Sequence, residues 1–328
     1  MANLNPNLKY HSQPKWLNSP AHEWKTGTLD RQVLYECADL LQLTPNFHDA
    51  CRGFAENMLN AYASNWLLNK IAREIPRFAL MGFVMYLHHR RGLDGPGVTY
   101  TRIQELYALG SNQGILASPT RVKAMLGLAV VAGQLRRVES SDRRVKLLEP
   151  TEKMIGPALH WLESYLDAVG RAVPLIKSPQ ELAATPEILG ELMTYIVYAY
   201  RHDRFGLSEA FPAVDYFLLR ENGYVTLMEI TRSMRFEQGE WYAQAPSVIL
   251  SKNFSMARGT VRNLLAYSEK QGWLTNCTRG GHKITLSSDF ATSCQRWVSL
   301  EMVWMGGLIN AAAVNLTRGR TGFPGVVE

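Results

Sequence analysis

One stretch of this chain is written twice. Val122-Lys123-Ala124-Met125-Leu126 returns 139 residues later as Val261-Arg262-Asn263-Leu264-Leu265, Gly133-Gln134-Leu135 as Gly272-Trp273-Leu274, and Arg144-Val145-Lys146-Leu147 as Lys283-Ile284-Thr285-Leu286, all without a gap. In each copy the glycine stands 11 residues after the valine, three helical turns later. A repeated supersecondary unit constrains a fold more than composition does, because it demands two similar modules. Each copy reads helix, glycine stop, strand, polar turn with cations, strand, helix. The second copy carries extra residues upstream, around 235–246, as loops allow.

The rest of the chain fits around this repeat. Its 328 residues, 46% hydrophobic and 20% charged, suffice for about two domains of ~150 residues with cores of their own. Residues 1–45 are expected to be an N-terminal arm carrying one short helix over Arg31–Leu43, residues 46–172 the first domain and residues 173–328 the second. Long helices are expected over 49–71, 154–169, 181–202 and 291–316 from their apolar periodicity. Pro76 opens a further helix toward His88, Val98–Tyr100 reads as a short strand, and Thr101 as the cap of the next helix. The segment 171–180, with two prolines, reads as a linker, and the stretch holding Gly239, Trp241 and Pro246 as a loop.

The four cysteines at 37, 51, 277 and 294 show neither metal-finger nor CxxC spacing, so reduced thiols in a cytoplasmic protein are expected, with no metal and no cofactor. The first residues lack the apolar core of a secretory signal. The most apolar stretch, Trp297–Leu316, contains Glu301, Asn310 and Asn315 and suits a packed helix better than a membrane span. No GxSxG, Walker, HExxH or GxGxxG motif occurs, so no enzyme is expected.

Three helices followed by a two-stranded turn is the winged helix-turn-helix order. Residues 121–153, with the wing Ser141-Asp142-Arg143-Arg144-Val145-Lys146-Leu147-Leu148-Glu149-Pro150-Thr151-Glu152-Lys153, resemble the core of the MarR family of bacterial transcription regulators and its DxR…L-T-x-x-G wing. Met154 departs from that pattern where the family often has Gly. The second wing, Arg279-Gly280-Gly281-His282-Lys283, lacks the Asp. The resemblance implies a mainly α fold with small β wings, in which two tandem units form a built-in pseudo-dimer. It gives Arg144 the wing-tip role, braced by Asp142. It also implies a small aromatic effector, with Trp241-Tyr242 as candidate lining.

A helix that enters the major groove needs polar or cationic residues on its leading face and apolar ones behind. The first copy offers Ser118, Thr120, Arg121 and Lys123, anchored by Val122, Met125, Leu126 and Leu128. The second offers Ser255, Arg258, Thr260, Arg262 and Asn263, anchored by Val261, Leu264 and Leu265. Arg143, Arg144, Arg279, His282 and Lys283 are the wing cations, placed for phosphates or a narrow minor groove. Residues 118–153 hold eight Lys/Arg and four Asp/Glu, and residues 252–283 six and one, so net +4 and +5 lie on these two segments of a chain whose total is +6. Basicity concentrated in this way is the footprint of a polyanion partner. By contrast, His88-His89-Arg90-Arg91 reads as a solvated helix end, His202-Asp203 as a polar helix end, and Trp273 as packing.

The expected function is a sequence-specific double-stranded DNA-binding transcription regulator that reads an imperfect palindrome with half-site centres about 34 Å apart, as a monomeric pseudo-dimer or a homodimer. The alternative is a plasmid- or phage-type replication initiator, which also carries tandem winged helices but binds repeated direct sites.

Overall fold

The computed structural model describes residues 31–63, 75–108, 117–139, 144–202, 207–208 and 210–318. It is mainly helical, with two small antiparallel sheets. Helix α1 (Arg31–Gln42) turns Leu34, Cys37, Ala38 and Leu41 inward, the i, i+3, i+4, i+7 spacing of one helical face. The first repeat unit then runs α2 (Phe47–Ala63), α3 (Ile75–His89), β1 (Val98–Thr99), α4 (Tyr100–Ala108), α5 (Pro119–Val131), β2 (Leu135–Val138), β3 (Leu147–Pro150) and α6 (Glu152–Gly170). After the short α7 (Pro179–Ala183), closed by a Ser178–Glu181 capping box, the second runs α8 (Ile188–His202), α9 (Pro212–Leu218), α10 (Gly223–Ser233), β4 (Arg235–Glu237), β5 (Glu240–Ala243), α11 (Ser247–Phe254), α12 (Arg258–Lys270), β6 (Leu274–Cys277), β7 (Ile284–Leu286) and α13 (Ser288–Thr317).

Both sheets thread alike. The first has strand order β1-β3-β2, and the second β5-β7-β6 with β4 added at the edge. In each, the strand before the helix pair lies beside the last strand, and the hairpin expected to be a wing closes the far side. Local chemistry explains the ends of α5. Ser118 Oγ accepts the Arg121 N–H at 3.3 Å, with Pro119 at the first helical position, and Gly133 leaves α5 at φ +70°, where a residue with a Cβ is disfavoured. Thr151 then donates to the Gly133 carbonyl at 2.6 Å and ties the end of β3 to the start of β2.

Some expectations shift. The cap expected at Thr101 is instead Thr99, whose Oγ1 accepts the Arg102 N–H at 3.3 Å, because the strand ends one residue earlier than its composition suggested and Tyr100 is already helical. The expected loop around Gly239 and Trp241 is the β4–β5 hairpin, with Phe236 opposite Trp241; the inserted residues finish as a strand because β7 offers an open edge. The cationic end of α3 is not simply solvated: His89 meets Glu191, Arg90 pairs with Asp94 and Arg91 with Glu149. Asp203 and the side chain of His202 lie outside the described residues, as do Leu67, Leu68 and Ile71 of the expected helix 49–71.

The units are built into each other. Helix α2 packs against α6 of its own unit and α10 of the other, while α8 packs against α13 of its own unit and α3 of the other. Exchanging the two units turns each of these pairs into another pair of the set. Such reciprocity is the mark of an isologous, two-fold relation, here within one chain. Helix α13 passes through the centre. It is the one described helix long and apolar enough to cross a membrane, and 78% of its apolar window is buried inside the protein, covered by α1, α6 and α8.

Two carboxylates of this apolar junction make buried polar contacts across it. Glu191 on α8 takes a hydrogen bond from His89 Nε2 at 3.1 Å and another from Asn315 on α13. Tyr165 on α6 donates to Glu301 on α13 at 2.6 Å. Part of Glu301 remains accessible, but its carboxyl is enclosed by protein, and burial pushes it from the ordinary 4.5 up to about 7 despite the Tyr165 bond. A group that holds its proton more tightly when folded stabilises the fold fully below its unfolded value, and that contribution is lost as pH rises through the folded value. Urea midpoints of the wild type are therefore expected to fall between pH 4.5 and 7, and Glu301→Gln to remove that component. An unchanged pH slope in the variant would assign the dependence to other groups.

Candidate nucleic-acid interface

Helices α5 and α12 each bury one stripe and present the opposite one. Val122, Leu126 and Ala129 are buried under α5, and Val261, Leu264 and Leu265 under α12. Thr120, Arg121, Lys123, Arg258, Arg262 and Asn263 are exposed, and Thr260 is half-buried. Ser118 is exposed as the cap of α5. Ser255 is exposed too, but it closes α11 in the left-handed conformation at φ +50°, so it belongs to the turn before α12. One expected anchor is on the wrong side. Leu128 is 65% exposed because it stands about 200° around the helix from Leu126. Met125 is half-buried and packs on the core.

The hairpin expected to be the first wing joins β2 to β3 in the register Val138↔Leu147. Arg144 is exposed at its descending side. Arg143 and Asp142 lie outside the described residues. Composition alone did not single out Arg136, Arg137 and Lys146, which are also exposed here; in a four-residue strand such as β2 the alternation that marks a surface residue is too short to read. Arg136 binds Glu149 at 2.9 Å, and Arg91 binds the same carboxylate. These two guanidiniums, Arg136 first, hold the Glu149 carboxyl below the ordinary glutamate range.

The second wing is braced by its backbone. The Thr278 N–H donates to the Lys283 carbonyl at 2.9 Å, and the Lys283 N–H donates to Thr278 Oγ1 at 2.8 Å. Gly280 and Gly281 turn the tip at φ +85° and +77°, and their carbonyls accept the N–H groups of Ser247 at 2.9 Å and Ala245 at 2.8 Å. A Cβ at residue 281 would stand 2.3 Å from the Ala245 carbonyl oxygen, so the wing can lie this close to the start of α11 only with glycine there. Arg279 and His282 are exposed at the tip. Lys283 is exposed as well, and its ammonium sits 4.5 Å from the centre of the Tyr242 ring.

Trp241, expected to line an effector pocket, packs against Phe236 and approaches His48. A groove of about 400 Å³ lies elsewhere, beside α12, between α9 and the residues leading into β6. Tyr216 and Tyr267 stack there at 4.2 Å, and Arg220 and Trp273 complete the wall. Trp273 does pack, against Tyr216 and Phe290, and its remaining surface faces this groove.

Comparison with known proteins gives no matching family model, no matching curated protein and no matching solved structure.

Proposed function

We propose that the chain is a cytoplasmic, sequence-specific double-stranded DNA-binding transcription regulator. In this reading it is a binding protein without catalysis, in which two MarR-like winged helices read one duplex. The observation that carries this reading is the reciprocal packing of the two units together with their matched, exposed cationic helices and hairpins. A two-fold relation between reading units favours inverted half-sites over direct repeats, because the symmetry of the protein is mirrored in the operator. That favours regulation over replication initiation from direct repeats. Selection from a random duplex pool tests it: recovery of inverted half-sites about one duplex turn apart is the expected result, and equal affinity for all sequences would overturn it.

Two variants separate positioning from reading. Arg144→Ala is expected to weaken binding across sequences alike and to reduce the slope of log affinity against log salt by about one. A slope unchanged from the wild type would remove Arg144 from the interface. Arg262→Ala is expected to cost about 1–3 kcal/mol on the selected site and to relax preference at one base pair. Competition with singly mutated duplexes reads this directly, and a uniform loss at every position would mark Arg262 as a phosphate contact.

A further inference from the structure

The repeat allows the two reading helices to be compared position by position, and they differ where a base edge is met. Along the stripe opposite the core, α5 presents Thr120, Ala124, Gly127 and Val131, and α12 presents Gly259, Asn263, Ala266 and Lys270 at the matching positions. Val131 is 85% and Leu128 65% exposed. Tyr267, the counterpart of Leu128, is instead held in its stack with Tyr216. One flank carries a cation in both helices, Lys123 and Arg262. The outward face of α5 is thus apolar in the middle of a basic surface that includes Arg121, Lys123, Arg137 and Lys146. Cations on both sides of an apolar stripe suit a duplex whose phosphates flank an apolar group, and in the major groove that group is the thymine methyl.

We propose that the two half-sites carry opposite base chemistry: the first unit reads thymine methyls through Ala124 and Leu128, and the second reads the adenine N6/N7 edge through Asn263. This rests on the DNA-binding reading above and adds which unit reads which half. Ala124 is small enough for the helix to seat against the base pairs, and Leu128, one turn on, extends the apolar contact. Asn263, at the position of Ala124, can hold adenine by paired donor and acceptor.

The test uses the wild-type chain and a duplex selected from a random pool. Deoxyuridine replaces thymine in one half-site at a time, which removes only the methyl group, and 7-deazaadenine replaces adenine in the same way, which removes only N7. Deoxyuridine is expected to weaken binding about fourfold per lost methyl in one half-site only, and 7-deazaadenine about tenfold in the other only. The variant A124N is expected to shrink the deoxyuridine effect to the part that Leu128 carries and to select a more symmetric site. Sequence preference that survives deoxyuridine in both half-sites would overturn the proposal and leave the DNA-binding reading standing. Absence of any sequence preference would end both. A Leu128→Ser variant that alters self-association while the deoxyuridine effect is absent would assign the stripe to a protein partner and likewise overturn the proposal.

Discussion

Phe54→Ala is expected to cost the fold about 3–5 kcal/mol, the range for removing a large aromatic side chain from a core that cannot collapse onto the space. Phe54 is 0% exposed and meets the Tyr165 ring edge-on at 5.4 Å. Its helix α2 lies between α6 of its own unit and α10 of the other, so relaxation of one wall would open the opposite one. Urea denaturation followed by tryptophan fluorescence should show a fall in midpoint with an unchanged slope. A loss below about 1 kcal/mol would mean that the site repacks and that α2 is not the rigid junction its contacts suggest. On the DNA-binding reading proposed above, and because α2 joins the two units, the same variant should weaken binding to a two-half-site duplex more than to a single half-site.

Glu191→Ala is expected to be comparably severe, about 3–5 kcal/mol, because it breaks a buried polar group while its partners stay behind. Glu191 is 0% exposed, and Asn315 is 3%. With the carboxylate gone, the Asn315 amide loses the carboxylate oxygen it donates to, and His89 Nε2 loses the oxygen 3.1 Å away. An unmade buried hydrogen bond costs more than a made one contributes. Glu191→Gln keeps an acceptor for Asn315 and should recover most of the loss. If both variants unfold at the wild-type urea concentration, the contact stabilises nothing. The three residues belong to α8, α3 and α13, so the loss would also loosen the first unit from the second.

Much of the local structure was legible in the residues. The two repeats, the helix stops at Gly133 and Gly272, the buried faces of α5 and α12 and the exposure of their cations follow from spacings of three, four and seven residues, which act within one element. The same rule misplaced Leu128. Counting apolar residues without their angular position put it with the anchors, whereas 3.6 residues per turn carry it to the outer face. Arg136 and Arg137 escaped because a four-residue strand gives alternation no length to register. The β4–β5 hairpin escaped because glycine, proline and aromatic residues in twelve positions read as a loop until an open strand edge is there to pair with them.

By itself the sequence determined that one module is made twice, that each ends in a cationic hairpin, and that the positive charge gathers on these parts. It did so because helix caps, glycine stops and apolar periodicity are interactions between near neighbours. Only the tertiary structure decided that α2 and α8 each pack on the other unit, that Glu191 is sealed in the core and that the Glu301 carboxyl is enclosed beside Tyr165. It also set the contrast between Leu128, left in solvent, and its counterpart Tyr267, stacked on Tyr216. The helix packings and the Glu191 contacts depend on which surfaces meet across about 100 residues or more of chain, as Glu191 meets His89 and Asn315. The choice is made by fit and desolvation among whole faces, and these leave no periodic trace in the order of residues.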